Sequence, residues 1–343
     1  MDSENQQPDS FSFVADNLYL GSYRSICALQ DAAKESCSAI SSSSLEVDSP
    51  AATVSTELAL TRDTLSKSAI LTVDTQRLPP EVANACRSYK YIKVEDSFCC
   101  DLLSHFDEAI VFIHDNRTTR THVLVHCNAG ISRSVTVVAA YLMREKCFGV
   151  DDALGLIRTH RPGVMPNSNF LEQLRLYELM GNKIDVSSRL YRQWKLKMAA
   201  PTGIPEGDIE SVLVDSPQTT DSARECFCCR ICRCPLFLPD NLLTHRPSDA
   251  NVADTSAAFP SKVNKPLSES GTCSRGELFI EPVIWMKDEI METRGKLNCP
   301  KCKKKVGTFS WVGERCPCGT FVTPAFHMDK GKVEHRKRFS NPS

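Results

Sequence analysis

The 343-residue chain has no apolar run long enough to cross a bilayer as a helix, so no membrane-spanning segment is expected. It also lacks an apolar leader. Residues 1–10 are polar and acidic, and an intracellular protein is the expectation. Net charge is almost absent, at −1, so the chain as a whole is no polyelectrolyte. The balance is uneven, however. Residues 1–222 carry 21 Lys+Arg against 29 Asp+Glu, whereas 223–343 carry 20 against 13. Cysteine is the opposite case. There are 17, and ten of them fall between 226 and 318. Inside a cell disulfides are rare, and clustered cysteines point to metal.

In the acidic half one segment carries chemistry: His126-Cys127-Asn128-Ala129-Gly130-Ile131-Ser132-Arg133-Ser134. The run before it, 121–125, reads as a buried strand and the run after it, 135–143, as a buried helix. Strand, tight loop and helix N-terminus together make an anion cradle, with amides pointing inward and the helix dipole favouring negative charge. The same field favours a thiolate at Cys127. A thiolate beside a guanidinium that grips phosphate oxygens in pairs makes a phosphoryl-transfer site. An inert buried cysteine would leave Gly130, Arg133 and Ser134 in register unexplained. Alternating strands and helices around the segment give an α/β sheet with the cradle at a strand's C-terminal end.

The segment resembles the H-C-x5-R-[ST] signature of the cysteine-dependent protein tyrosine phosphatases, and its loop is similar to that of the dual-specificity branch. Asn17-Leu18-Tyr19-Leu20-Gly21-Ser22 agrees, as does Arg161-Pro162 followed by Pro166-Asn167-Ser168-Asn169-Phe170-Leu171-Glu172-Gln173-Leu174, so the resemblance spans about 11–182. It implies a central sheet flanked by helices. It also implies hydrolysis of phosphotyrosine, phosphoserine and phosphothreonine through a phosphocysteine at Cys127. Arg133 and the amides of Asn128, Ala129, Gly130, Ile131, Ser132 and Arg133 would hold the equatorial oxygens. The leaving oxygen needs a proton, which this family takes from an aspartate some thirty residues upstream. Asp96, 31 residues before Cys127, is the choice. Asp101 is the alternative, with the ordinary reading of N-cap to a helix over 102–114. Ser134 would donate to the sulfur, His126 would shape the loop, and Asn167 would brace it.

Zinc spacing fills the basic half. Cys299-Pro300-Lys301-Cys302 and Cys316-Pro317-Cys318-Gly319 lie 13 residues apart with a strand-like run, 306–311, between them. They are expected to put four thiolates on one tetrahedral zinc, as in a ribbon. Cys226, Cys228, Cys229, Cys232 and Cys234 are too many for one site. Both Cys226 with Cys229 and Cys229 with Cys232 have knuckle spacing, and His245 and Cys273 are the best downstream donors. His327 is placed on the surface. Trp285, Trp311, Phe321 and Phe326 read mostly as core, although a basic zinc domain with such aromatics would also suit RNA or an acidic protein.

The run Cys229…Cys232-Arg233, Leu236-Phe237, 279–286, 295–302, 307–311 and 323–326 is similar to the dual-specificity phosphatases that end in a cysteine-rich zinc domain, the dual specificity protein phosphatase 12 family. This closer resemblance implies two zinc ions and supports Cys229 with Cys232 as a ligand pair. It implies phosphoprotein substrates and a link to large-ribosomal-subunit maturation, so the alternative function is an assembly factor on a pre-ribosomal particle, acting through the zinc domain. The expected protein is a monomer of cytoplasm and nucleus, with a phosphatase chemistry that needs no cofactor. The expected layout is a flexible 1–10; a phosphatase domain, 11–182, interrupted by a low-complexity insertion, 35–68; a helical extension and linker, 183–224; a zinc-ribbon-like β-rich domain, 225–335; and a basic tail, 336–343. The extension helix, 188–198, is expected on the phosphatase domain, with Trp194 and Leu196 as core.

Overall fold

The structure is a computed structural model, and it describes residues 10–38, 65–199, 209–217, 225–243, 245 and 275–337. The chain divides into two compact units between Asp185 and Val186.

In the first unit the strands are β1 (Ser12–Ala15), β2 (Leu18–Ser22), β3 (Ser68–Asp74), β4 (Ser88–Lys93) and β5 (His122–Cys127). They form one sheet in the order β1-β2-β5-β3-β4. Only β1 runs antiparallel, as a hairpin on β2 turned through Asn17 in the left-handed region. Ser68 through Val73 are all buried, as a parallel strand covered on both faces requires. The helices are α1 (Tyr23–Ser38), α2 (Pro80–Ala85), α3 (Phe106–Thr118), α4 (Arg133–Lys146), α5 (Val150–His160) and α6 (Ser168–Leu179). Every residue of α4 from Arg133 to Met143 is buried, because α3, α5 and α6 pack round it. At roughly 2 kcal/mol for each large apolar side chain, this helix anchors the unit and fixes the loop ahead of it.

Two expectations change here. The helix placed at 102–114 is a 3₁₀ turn, Leu103–His105, followed by α3. Of the insertion placed at 35–68, residues 35–38 complete α1, Leu65 is buried in a core with Phe11, Ile26 and Leu124, and Ser68 opens β3. Residues 39–64 lie outside the described residues.

The second unit opens with α7 (Arg189–Ala199). Its strands are short: β6 (Cys226–Cys229), β7 (Pro235–Phe237), β8 (Leu278–Phe279), β9 (Arg294–Asn298), β10 (Lys305–Ser310), β11 (Glu314–Arg315), β12 (Phe321–Val322), β13 (Ala325–Met328) and β14 (Val333–Arg336). They make a four-stranded sheet β8-β13-β10-β9, a three-stranded sheet β14-β6-β7 and the hairpin β11-β12. Phe237, Ile280, Leu297, Phe309, Trp311 and Phe326 form the shared core.

The extension helix therefore belongs to this unit and not to the phosphatase domain. Leu196 joins its core, Arg189 donates to the Leu242 carbonyl, and Arg192 pairs with the buried Glu281 at 3.3 Å. The linker reading also gives way at 209–214, where Ile209 and Val214 are buried and Val214 bridges Val283. Part of the basic tail is strand. Arg336 ends β14, and His335 stacks on Phe227 at 4.4 Å. Trp311 and Phe326 are core, and Trp285 is half-buried, but Phe321 on the small hairpin is 54% exposed. The loop at 247–270 lies outside the described residues.

Candidate active site and metal clusters

The register Ser22↔Cys127 sets the end of β5 beside the start of α1, where the Tyr23 amide donates to the Asn128 carbonyl at 3.0 Å. Between Cys127 and Arg133 the chain turns through Gly130 at φ +67°. A Cβ there would stand 2.6 Å from the Gly21 carbonyl oxygen and 2.8 Å from Arg161, so only glycine fits. The turn aims the Gly130 amide at the Cys127 sulfur, 3.2 Å away, and the Ser134 hydroxyl donates to the same sulfur at 3.2 Å. Asn128 and Ala129 are exposed at the mouth.

Below the loop lies Arg161, with no exposed surface. Its Nε donates to the Gly130 carbonyl at 3.1 Å and its Nη1 to Ser12 at 3.2 Å. Burial lowers the pKa of this guanidinium, and the charge of Cys127 counters that shift. His126 is bound through Nε2 to the Thr72 hydroxyl at 2.8 Å, and burial pushes it down to about 4. It shapes the loop as a neutral ring.

Arg133 Nη1 donates to Asp74 at 2.8 Å and to the Val94 carbonyl at 3.2 Å. Its Nε is buried without a hydrogen-bond partner among the described residues. Asp96 reaches the same place. Its Oδ2 stands 3.6 Å from Arg133 Nε, while its Oδ1 accepts from Ser132 at 3.0 Å and Asn167 at 2.7 Å. Asn167 also caps α6 by accepting from the Phe170 amide at 2.9 Å, so the start of that helix is tied to Asp96. Asp101 accepts from the Ser104 amide at 2.9 Å, but the N-cap position of the 3₁₀ turn is Leu102.

Cys127, Arg133, Ser134 and Asp96 thus come together around the loop. Three contributors lay outside the candidate list. Asn169 and Gln173 of α6 hold the Cys100 carbonyl at 2.8 and 2.7 Å, and Gln173 accepts from the Leu102 and Leu103 amides, which straps down the segment carrying Asp96. Asp74 is the third. Its signal was a carboxylate directly after the apolar run of a strand, the end at which α/β sheets bind ligands.

The cysteine sets correct the expected ribbon. Cys229, Cys232, Cys299 and Cys302 have sulfurs all within 4.8 Å of one another, and His245, Cys316 and Cys318 form a second group. The two C-terminal knuckles do not share a site, because six-residue β10 separates them, a rise of about 20 Å. Each joins an upstream partner instead. The paired knuckles of the first group are copies. The Arg233 amide donates to the Cys229 carbonyl and the Lys303 amide to the Cys299 carbonyl, both at 2.9 Å, with Arg233 and Lys303 left-handed.

Alternation along β6 puts Cys226 and Cys228 on the face opposite Cys229, and their own sulfurs lie 3.5 Å apart. Cys234, too, is outside both groups. His327 is partly buried, stacked on Phe279 and bonded to Glu277 at 2.9 Å. Cys273 lies outside the described residues.

The donor sets fit zinc. Tetrahedral Zn–S bonds of about 2.3 Å require sulfurs about 3.8 Å apart. The structure has Cys229–Cys302 at 3.7 Å and Cys232–Cys299 at 3.5 Å. Burial pushes the Cys299 thiol up to about 12, whereas at Cys232 burial is outweighed by hydrogen bonds from its neighbours, which bring it down to about 7. One sulfur of the cluster thus ionises readily, and a bound cation would favour ionisation of the rest. Both ring nitrogens of His245 are buried without a hydrogen-bond partner among the described residues, which suits a metal ligand.

Residues 58–180 match the family model described as the dual specificity phosphatase catalytic domain. The chain is 36% identical over 282 residues to dual specificity protein phosphatase 12 of Mus musculus, covering 78% of this chain and 80% of that one. It is 34% identical over 284 residues to the Homo sapiens protein of the same name, covering 78% and 81%. To tyrosine-protein phosphatase YVH1 of Saccharomyces cerevisiae it is 31% identical over 296 residues, covering 76% and 81%.

Proposed function

The chain belongs to the dual specificity protein phosphatase family, that of dual specificity protein phosphatase 12 and YVH1, and on that premise we propose that Cys127 is its nucleophile, Asp96 its general acid and Arg133 its phosphate grip. The reading rests chiefly on one arrangement. The Cys127 sulfur accepts two hydrogen bonds at 3.2 Å, while the Nε of the buried Arg133 has no hydrogen-bond partner among the described residues.

The Cys127 thiolate attacks phosphorus in line, and the bond to the leaving oxygen breaks. Asp96 supplies that oxygen's proton. Because Oδ1 accepts from Ser132 and Asn167, the proton belongs on Oδ2, the oxygen nearer Arg133. Arg133 and the amides of 128–133 take up the charge gathering on the equatorial oxygens. In the second step Asp96 removes a proton from water, water attacks the phosphocysteine, and the sulfur leaves as a thiolate stabilised by Ser134 and the Gly130 amide. Cys127→Ser is expected to abolish turnover of an aryl phosphate. Retained turnover in that variant would reject the nucleophile. Asp96→Asn should cost about 100-fold on a phosphoserine peptide, whose alkoxide needs the acid most.

For the second unit the proposal is two structural zinc ions: one on Cys229, Cys232, Cys299 and Cys302, the other on His245, Cys316 and Cys318 with Cys273 as fourth donor. Bound zinc would cross-link distant strands there. Elemental analysis should find two zinc per chain, and one in His245→Ala. The module would direct the phosphatase to partners in cytoplasm and nucleus. A second reading, an assembly factor for the large ribosomal subunit, draws on Lys301, Lys303, Lys304 and Lys305, all exposed around one knuckle. Rescue of a deletion by the Cys127→Ser chain, compared with a chain ending at Asp185, separates the two. Rescue by the truncation alone removes the second reading.

A further inference from the structure

We propose that Asp74 is a positioning residue that sets the Arg133 guanidinium for side-on capture of the phosphoryl group. The inference rests on the assignment of Arg133 as the phosphate grip. Asp74 ends β3, the strand beside the cradle strand, and is itself fixed, since its Oδ1 accepts from the Thr75 amide at 2.7 Å. That same oxygen takes Arg133 Nη1 at 2.8 Å, and Nη1 also donates to the Val94 carbonyl at 3.2 Å. The pair is secluded, with Arg133 8% and Asp74 14% exposed at the side chain.

A guanidinium is planar, so fixing one nitrogen through two acceptors fixes the plane. With Nη1 held, the Nε–Nη2 edge remains, and this is the fork that matches two phosphate oxygens. Nε has no hydrogen-bond partner among the described residues, and the nearest carboxylate oxygen, on Asp96, stands off at 3.6 Å. Asp74 thus occupies the side of Arg133 that the substrate does not need. Without it the fork is free to rotate, and a misplacement of about 1 Å at a reacting centre can cost about 100-fold.

The test is a double-mutant cycle on kcat/KM for a fluorogenic aryl phosphate, with inorganic vanadate binding as a second readout. Asp74→Ala should lower kcat/KM about 50-fold and weaken vanadate by a similar factor. Asp74→Asn keeps an acceptor and should recover at least about tenfold of that loss. Asp74→Ser keeps an acceptor for the Thr75 amide but is one bond too short for Arg133, so it should behave like the alanine variant, and it replaces that variant if the alanine chain misfolds. In an Arg133→Lys background, where no fork exists to orient, removal of Asp74 should cost under about threefold. Equal losses in both backgrounds would make Asp74 merely structural, and a loss under about threefold in the native background would overturn the proposal directly. Undiminished turnover by Arg133→Lys alone would instead remove the grip assignment beneath it.

Discussion

In the first unit the proposed anion site is one continuous stretch: the loop after Cys127, a helix N-terminus and one guanidinium held in place by neighbours. In the second, the proposed cation sites draw on side chains up to 73 positions apart, as Cys229 and Cys302 are. The supports differ in the same way. The cradle sits on a parallel sheet and on α4, whose buried face runs unbroken from Arg133 to Met143. The cysteine clusters join strands of two to six residues in three small sheets. The anion site borrows its rigidity from a hydrocarbon core, whereas the cation sites are expected to supply rigidity to theirs.

The largest effect should therefore come from removing metal. Structural zinc contributes roughly 10 kcal/mol to small domains of this kind. Strong chelation should unfold the second unit and leave aryl-phosphate turnover within about twofold. All three tryptophans of the chain, Trp194, Trp285 and Trp311, belong to the second unit, and two are fully buried there. Tryptophan emission thus reports on that unit alone. A red shift on chelation with activity intact would sharpen the contrast, and loss of activity in step with the shift would break it.

Two glycines give the next largest effects. Gly130→Ala meets the Gly21 carbonyl at 2.6 Å and adopts an unfavourable φ, so it should cost about 2–3 kcal/mol and remove activity at least about 100-fold. Gly307→Ala on β10 meets the His327 carbonyl at 2.3 Å. It should cost a similar few kcal/mol, read by tryptophan emission during urea unfolding, and spare turnover. Activity loss in both variants would mean the units do not fail separately.

Acid should act on the first unit through His126. Its pKa falls from an ordinary 6.5 to about 4 in the fold because burial disfavours the charged ring. A depressed folded value means that the unfolded chain binds the proton first. Stability is complete above about pH 6.5 and declines as pH falls toward 4, by roughly 3 kcal/mol over that interval. Urea midpoints followed by activity at pH 7, 6 and 5 measure the slope, and His126→Gln should flatten it.

What could be read in advance follows the same division. Cys127, Gly130, Arg133 and Ser134 lie within one eight-residue stretch from the end of β5 to the start of α4, where spacing along the chain is spacing in space. Asp96 was picked out only through the family resemblance, which places an aspartate some thirty residues before the cysteine; nothing in the local spacing distinguishes it from Asp101. The pairing of knuckles was not legible, because Cys299-x2-Cys302 is geometrically equivalent beside Cys316 or beside Cys232 until the length of β10 decides. Nor was the place of α7, since Trp194 and Leu196 mark a buried face without saying against which unit. Asp74 was passed over because its partner, Arg133, stands 59 positions away.

The smallest effect separates two aspartates five residues apart. Asp101 holds the Ser104 amide of a single 3₁₀ turn, and loss of such a hydrogen bond costs about 1 kcal/mol. The strap from Asn169 and Gln173 to the Cys100 carbonyl would still hold the segment leading back to Asp96. Asp101→Ala should therefore lower stability slightly and change kcat for a phosphoserine peptide by under about fivefold. Asp96→Asn, which leaves every cap intact, should cost about 100-fold on the same substrate. If the two losses were exchanged, the acid would be Asp101, and the contacts from Ser132 and Asn167 to Asp96 would serve only to close the loop.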